Sequence, residues 1–289
     1  MIHLALSFSE QVIKARSLAA SGQFRLFVGL CEELLADASA SPDSLAEVGS
    51  LYAEFGFASR AQHCYEPLLA LRPGDLGTQA NLATLLREMA EHAPSRRLYA
   101  QLQRHLPDHP VIRRNVLTGL EYDPLATDAE RLNHARAWGQ WAIARAGGPR
   151  PRPALRPLDH RLLRLGYISA DLCQHTVGLF VKDVLKAHDP NRVQVFAYST
   201  GQVKDWVTDE IRAACTFRDV TALEDEALAG QIRSDGIDVL IDLSGHTAGS
   251  RLTAFAYRPA PVMVSWLGYF ATVRQTKVRQ TKGHPLCST

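Results

Sequence analysis

The stretch GIDVLIDLSGHTAGSR, residues 236–251, decides how the second half of the chain folds. Gly236 stands where a helix would stop, Ile237 to Leu243 form a short, mostly apolar run, and the chain then breaks into a loop carrying Gly245, His246, Thr247 and Gly249. A brief apolar, β-branched run closed by turn residues reads as a strand buried on both faces of a parallel sheet. LLRLGYIS (162–169), VQVFAYS (193–199) and PVMVSWL (261–267) have the same character. VGLFVKDVLKAH (177–188), VKDWVTDEIRAAC (203–215) and EDEALAGQIRSDG (224–236) lie between them with helical periodicity. Strands alternating with helices predict a Rossmann-like parallel sheet. GxGxxG, GxxxxGK[ST] and GxSxG are absent, so the sheet lacks the familiar nucleotide and nucleophile loops.

Ligands of such sheets bind beyond the C-terminal strand ends. That rule selects ADLCQHTVG (170–178) with Asp171 and His175, SGHTAGSR (244–251), and GYFAT (268–272). Thr176 is expected to cap a helix starting at Val177. His175 would then sit beside exposed amides at a positive dipole end, which favours the uncharged ring. His175 and His246 each have a bland alternative, a histidine that packs or hydrogen-bonds its own loop.

Upstream the periodicity changes. Val48, Tyr65, Leu68 and Pro73 recur 34 residues later as Leu82, Tyr99, Leu102 and Pro107, and Gly22 stands one period before Gly56. Helical hairpins of this period, closed by proline, have the tetratricopeptide pattern. One hairpin cannot bury its apolar face, whereas three stacked hairpins can, leaving a groove for proteins or a spacer for the next domain. Phe27 stands where the second copy has Ala61, as in a capping repeat. His105 and His109 have a metal-pair spacing, but Pro107 between them keeps the rings off a common helical face. No metal site is expected. GGPRPRPALRP (147–157) is too rich in proline and glycine for helix or central strand and reads as a connector. The expected divisions are helical repeats over 1–115, a helical and proline-rich connector over 116–158, the Rossmann-like lobe over 159–272, and an atypical tail over 273–289.

Bulk properties narrow the function. A formal charge of +2 gives no case for nucleic acid as the main partner. No apolar run approaches the roughly 18 residues of a membrane span. Cys31, Cys64, Cys173, Cys215 and Cys287 are scattered and odd in number, which suits a reducing cytoplasm.

RLGYISADLCQHTVGLF (164–180), residues 236–272 through RPAPVMVSWLGYFAT, and the upstream LEYDP and HARAWG closely resemble bacterial members of the O-linked N-acetylglucosamine transferase family. The resemblance implies tetratricopeptide repeats ahead of two Rossmann-like lobes in the GT-B arrangement. It implies transfer of N-acetylglucosamine from UDP-N-acetylglucosamine, a co-substrate, to protein Ser or Thr, with inversion and without a cofactor or metal. His175 matches the family histidine proposed as general base. Thr247 matches a sugar contact, with Gly245 and His246 in its loop. Leu267, Gly268 and Tyr269 match the loop beside the sugar and diphosphate. Asp171 and Asp242 are supporting candidates, and the repeats help select protein or peptide acceptors. The pattern departs after Thr272, where VRQTK occurs twice in tandem (273–282). The second lobe of the family pattern, with its lysine for the leaving diphosphate, does not follow. The chain alone is therefore expected to be inactive, and the alternative is a tetratricopeptide interaction module carrying a remnant lobe.

Overall fold

The computed structural model describes residues 6–37 and 41–269 and falls into two compact units, Met1–Ala126 and Thr127–Thr289. The tandem tail and residues 270–272 of the expected lobe lie outside the described residues.

The first unit is a row of helices: α1 (Phe8–Ala20), α2 (Phe24–Asp37), α3 (Pro42–Glu54), α4 (Ala58–Leu71), α5 (Leu76–Glu88), α6 (His92–His105) and α7 (Pro110–Tyr122). The 34-residue period is written in the caps. Ser7, Ser41, Asp75 and His109 are the N-caps of α1, α3, α5 and α7, and each side chain accepts the amide three residues on. Such caps satisfy amides that a helix start otherwise leaves unpaired. The period thus extends to α7, which packs on α5 and α6. His109 spends Nδ1 on the amide of Ile112.

The turns inside the hairpins repeat as well. Gly22, Gly56 and Ala90 take φ of +77°, +81° and +62°. After each, the next amide reaches back to close the helix end: Gln23 to Leu18, Phe57 to Tyr52 and Glu91 to Leu86. Ala90 fills the glycine role without a glycine, so sequence reading passes over it. The core of the array is aromatic at its first joint. Phe27 is fully buried and packs against Tyr52, Phe55 and Phe57 at 5.5–5.7 Å between ring centroids. Within the second hairpin α3 and α4 approach through a small residue, since a Cβ on Gly49 would stand 2.6 Å from the Tyr65 ring.

The second unit opens with α8 (Asp128–Arg145). The lobe follows as β1 (Leu163–Ser169), α9 (Thr176–Ala187), β2 (Val193–Ser199), α10 (Trp206–Ala214), β3 (Thr216–Asp219), α11 (Asp225–Ser234), β4 (Val239–Asp242), α12 (Leu252–Phe255) and β5 (Val262–Ser265). All strand pairs are parallel, in the order β3-β2-β1-β4-β5. The sequence of this half is therefore a Rossmann-like sheet, with the order reversing between β1 and β4. β3 lies outside the strands expected from sequence: TFRD has a single apolar residue and lacks the apolar run of the other strands. Gly236, with φ +62°, follows the cap of α11 as expected.

Asp238 fixes the lower end of β4. It is fully buried, receives Arg161 through two bonds of 2.6 and 2.9 Å, and accepts the Arg164 amide at 2.9 Å. Burial opposes its charge, but the Arg161 guanidinium and the amide outweigh it and hold the carboxyl below its ordinary range. The contribution is present above the unfolded-state pKa and is lost as pH falls through the folded-state value. Asp238→Ala should cost about 1–3 kcal/mol, since it leaves the Arg164 amide without its acceptor inside the lobe. The deficit, read by urea unfolding, should shrink on acidification. In the array, Ala90→Gly should stabilise by about 1 kcal/mol by removing a left-handed Cβ conflict. Gly49→Ala should cost about 1–3 kcal/mol.

Candidate functional site

The site is built where the strands end. The loops after β1, β2, β4 and β5 meet at the C-terminal edge, and glycine lets their backbones touch. A Cβ on Gly201 would lie 1.9 Å from the Ala170 carbonyl oxygen, and one on Gly268 would lie 1.5 Å from that of Leu243. Across the reversal between β1 and β4, Ser169 Oγ and Ser244 Oγ are 3.0 Å apart and buried. Ser169 also accepts the Asp171 amide at 2.9 Å, so one hydroxyl pair joins the two loops that flank the crevice.

Asp242 is a clamp inside the β4 loop. It accepts the amides of Ser244 and Gly245 and the Ser265 hydroxyl at 2.9–3.2 Å. Burial pushes its carboxyl pKa up against the pull of these donors. The clamp bends the chain into a turn in which Gly245 has φ +58°, and a Cβ there would strike Tyr269 at 2.2 Å. His246 is buried between two rings, edge-on to Trp138 of α8 at 4.6 Å and to Tyr269 at 5.5 Å. Placed so, its ring packs within the loop. Thr247 is half-buried, its hydroxyl donating to the Ser244 carbonyl at 2.9 Å. Leu267 is about two-fifths exposed and takes φ +70°, a conformation that strains a branched side chain.

The β1 loop is held differently. His175, not Thr176, is the N-cap of α9, its Nδ1 accepting the Val177 amide at 3.3 Å. The difference follows from the turn before it: the His175 amide bonds the Cys173 carbonyl at 2.6 Å, which puts the ring over the first free amides. The start of α10 grips this loop from the side. Asp205 accepts the Gln174 amide at 2.6 Å, Trp206 Nε1 donates to Gln174 Oε1 at 3.1 Å, and Thr208 donates to the Leu172 carbonyl at 2.7 Å. Gly178 completes the fit, since a Cβ would lie 2.1 Å from the Cys173 carbonyl oxygen. The structure thus brings Asp242, Gly245, His246, Gly268 and Tyr269 into one packed cluster. Asp171 and His175 form a second, tied to the first through Ser169 and Ser244.

Residues 153–278 match the family model of glycosyl transferase family 41. The Arabidopsis thaliana protein named probable UDP-N-acetylglucosamine--peptide N-acetylglucosaminyltransferase SPINDLY is 31% identical over 173 residues, covering 56% of this chain and 18% of its own length. Its SEC counterpart in the same plant is 34% identical over 132 residues, covering 45% and 14%. The Caenorhabditis elegans UDP-N-acetylglucosamine--peptide N-acetylglucosaminyltransferase is 35% identical over 113 residues, covering 38% and 10%. Among solved structures, a mutant O-GlcNAc transferase of Thermobaculum terrenum superposes with a TM-score of 0.71 at 31% identity, over 92% of this chain and 52% of that one. Residues 153–278 thus carry the family 41 pattern, and the chain is similar to O-linked N-acetylglucosamine transferases.

The chain spans under a fifth of the curated transferases it matches and about half of the solved one. The family match begins inside the proline-rich connector and runs to residue 278, past the expected end of the lobe at 272. The first VRQTK copy is therefore within the family segment. Sequence reading missed the serines: Ser169 and Ser199 close β1 and β2, and Ser244 follows β4 by two residues, a regularity visible in LGYIS, FAYS and VLIDLS. Lys204 also went unread; it binds Ser199 Oγ and the Gly201 carbonyl at 2.7 Å each and pairs with Asp219 at 3.3 Å. In this family lobe, HARAWG acquires a reason, since its Trp138 backs His246.

Gly268→Ala should displace the β5 loop and cost about 3 kcal/mol, the upper end of overpacking. Thermal unfolding gives the cost, and loss of the Tyr269 near-ultraviolet dichroism reports the displacement. Leu267→Gly should leave the fold intact or slightly firmer, because it removes the positive-φ conflict.

Proposed function

We propose that the lobe forms one wall of the sugar-nucleotide site of a protein O-linked N-acetylglucosamine transferase. The reaction is transfer of N-acetylglucosamine from UDP-N-acetylglucosamine to a Ser or Thr hydroxyl with inversion and without metal. The reading rests on the glycine-packed loops meeting at the reversal point of a family 41 sheet, where such sheets bind ligands. Thr247 and the backbone of residues 244–249 would meet the sugar, residues 266–269 the diphosphate side, and His175 the reacting end. Asp171 and Asp242 support these loops. The repeat array would recruit protein acceptors.

Transfer also needs donors or cations for the departing diphosphate, usually the largest electrostatic demand in such chemistry. Lys204 is committed to Ser199, Gly201 and Asp219. With Lys204 so engaged, residues 1–289 tested by themselves should show no measurable transfer to a Ser/Thr peptide. Among the described residues no helix is long and apolar enough to cross a membrane.

The test is backbone NMR of the full chain titrated with UDP-N-acetylglucosamine. Amides of residues 170–178, 244–250 and 266–269 should move while the repeats stay still. Shifts confined to the helical array, or none at saturating ligand, would sink the reading.

A further inference from the structure

His175 is exposed at the ligand edge, yet one of its two nitrogens is already committed. An uncharged imidazole has one N–H and one lone pair. Its Nδ1 takes the Val177 amide, so Nδ1 holds the lone pair and the proton sits on Nε2. The other tautomer would set Nδ1–H against the amide N–H, two donors face to face at a helix start that needs an acceptor. We propose that His175 works as a fixed Nε2–H donor and offers no lone pair toward the ligand. That N–H gives a hydrogen bond to an oxygen of the bound sugar nucleotide, a half of the proposal that rests on the transferase reading above.

The cap is hard to release. His175 N is bonded to Cys173 and its carbonyl accepts the Leu179 amide at 2.9 Å, so the residue is pinned on both sides. Asp205, Trp206 and Thr208 hold Gln174 and Leu172 from α10, and Gly178 lets the loop lie flat on α9. Swinging the ring to free Nδ1 would unpair an amide within this tightly packed turn, an expensive change in a half-buried setting. His109 makes the same bond at the start of α7, with Nδ1 accepting from Ile112 at 3.4 Å, and so supplies an internal reference in the repeat array.

The experiment is long-range proton–nitrogen correlation NMR on the full chain labelled at histidine nitrogen, at mildly alkaline pH where imidazoles are uncharged. His175→Gln and His109→Gln assign the two signals. For both rings Nδ1 should resonate as a lone-pair nitrogen and Nε2 as a protonated one. A protonated Nδ1 at His175, or rapid mixing of the two tautomers, would overturn the proposal whatever the chain does with sugar nucleotides. Adding UDP-N-acetylglucosamine should then shift the His175 Nε2–H and leave His109 unmoved. If the 244–250 amides respond but His175 does not, the ligand half fails while the transferase reading survives. If nothing responds, that reading fails and takes the ligand half with it, and the tautomer assignment stands alone. His175→Asn keeps an N-capping acceptor but lacks the distal N–H. It should melt like the parent and bind UDP-N-acetylglucosamine about five- to tenfold more weakly, the worth of one hydrogen bond. Unchanged affinity in this variant also counts against the ligand half.

Discussion

Backbone meeting backbone at the C-terminal edge of the sheet is the constraint on which the rest of the lobe depends. Carbonyl oxygens of Ala170, Cys173 and Leu243 occupy the places where Cβ atoms of residues 201, 178 and 268 would be. Loops can interlock this closely only if those three positions are glycine. Once they do, each strand-end serine comes within reach of a neighbouring loop, as the Ser169–Ser244 pair shows. The buried Asp242 and His246 then become affordable, since donors and aromatic edges surround them. Removing one glycine would act on several loops at once.

Capping is the second organising device, and it serves different ends in the two units. In the array it is periodic: Ser7, Ser41, Asp75 and His109 start alternate helices, while Gly22, Gly56 and Ala90 turn between them. Identical cap spacing makes successive hairpins superpose, so that apolar faces align and bury one another. In the lobe, the same kind of bond at His175 fixes the orientation and proton position of a ring at the ligand edge. A residue type that caps helices less often than serine or aspartate does so twice among the described residues.

Much of the fold was legible before any coordinates. The 34-residue recurrence gave the repeats, and the apolar runs gave four of the five strands. β3 escaped because TFRD has one apolar residue in four and so carries no strand pattern, and only pairing with β2 makes it a strand. Ala90 escaped because its role lies in a φ value, not a side chain. The site loops were found by position in the sheet, but their internal division was not. Gly245, His246 and Tyr269 pack together, whereas the loop carrying Asp171 and His175 is held at Leu172 and Gln174 by Asp205, Trp206 and Thr208. Nothing local in the sequence links Gln174 to Asp205, because that contact depends on how β2 and α10 return beside α9.

The sequence by itself determined periodicity, strand identity and the family resemblance of residues 164–180 and 236–272, because these depend on which residues recur at which spacing. Tertiary structure alone decided which nitrogen of His175 faces outward, which way Asp242 points its oxygens, and why the tryptophan of HARAWG matters. Each of those is set by a partner distant in the chain or by a turn angle, and a hydrogen bond exists only when both ends arrive.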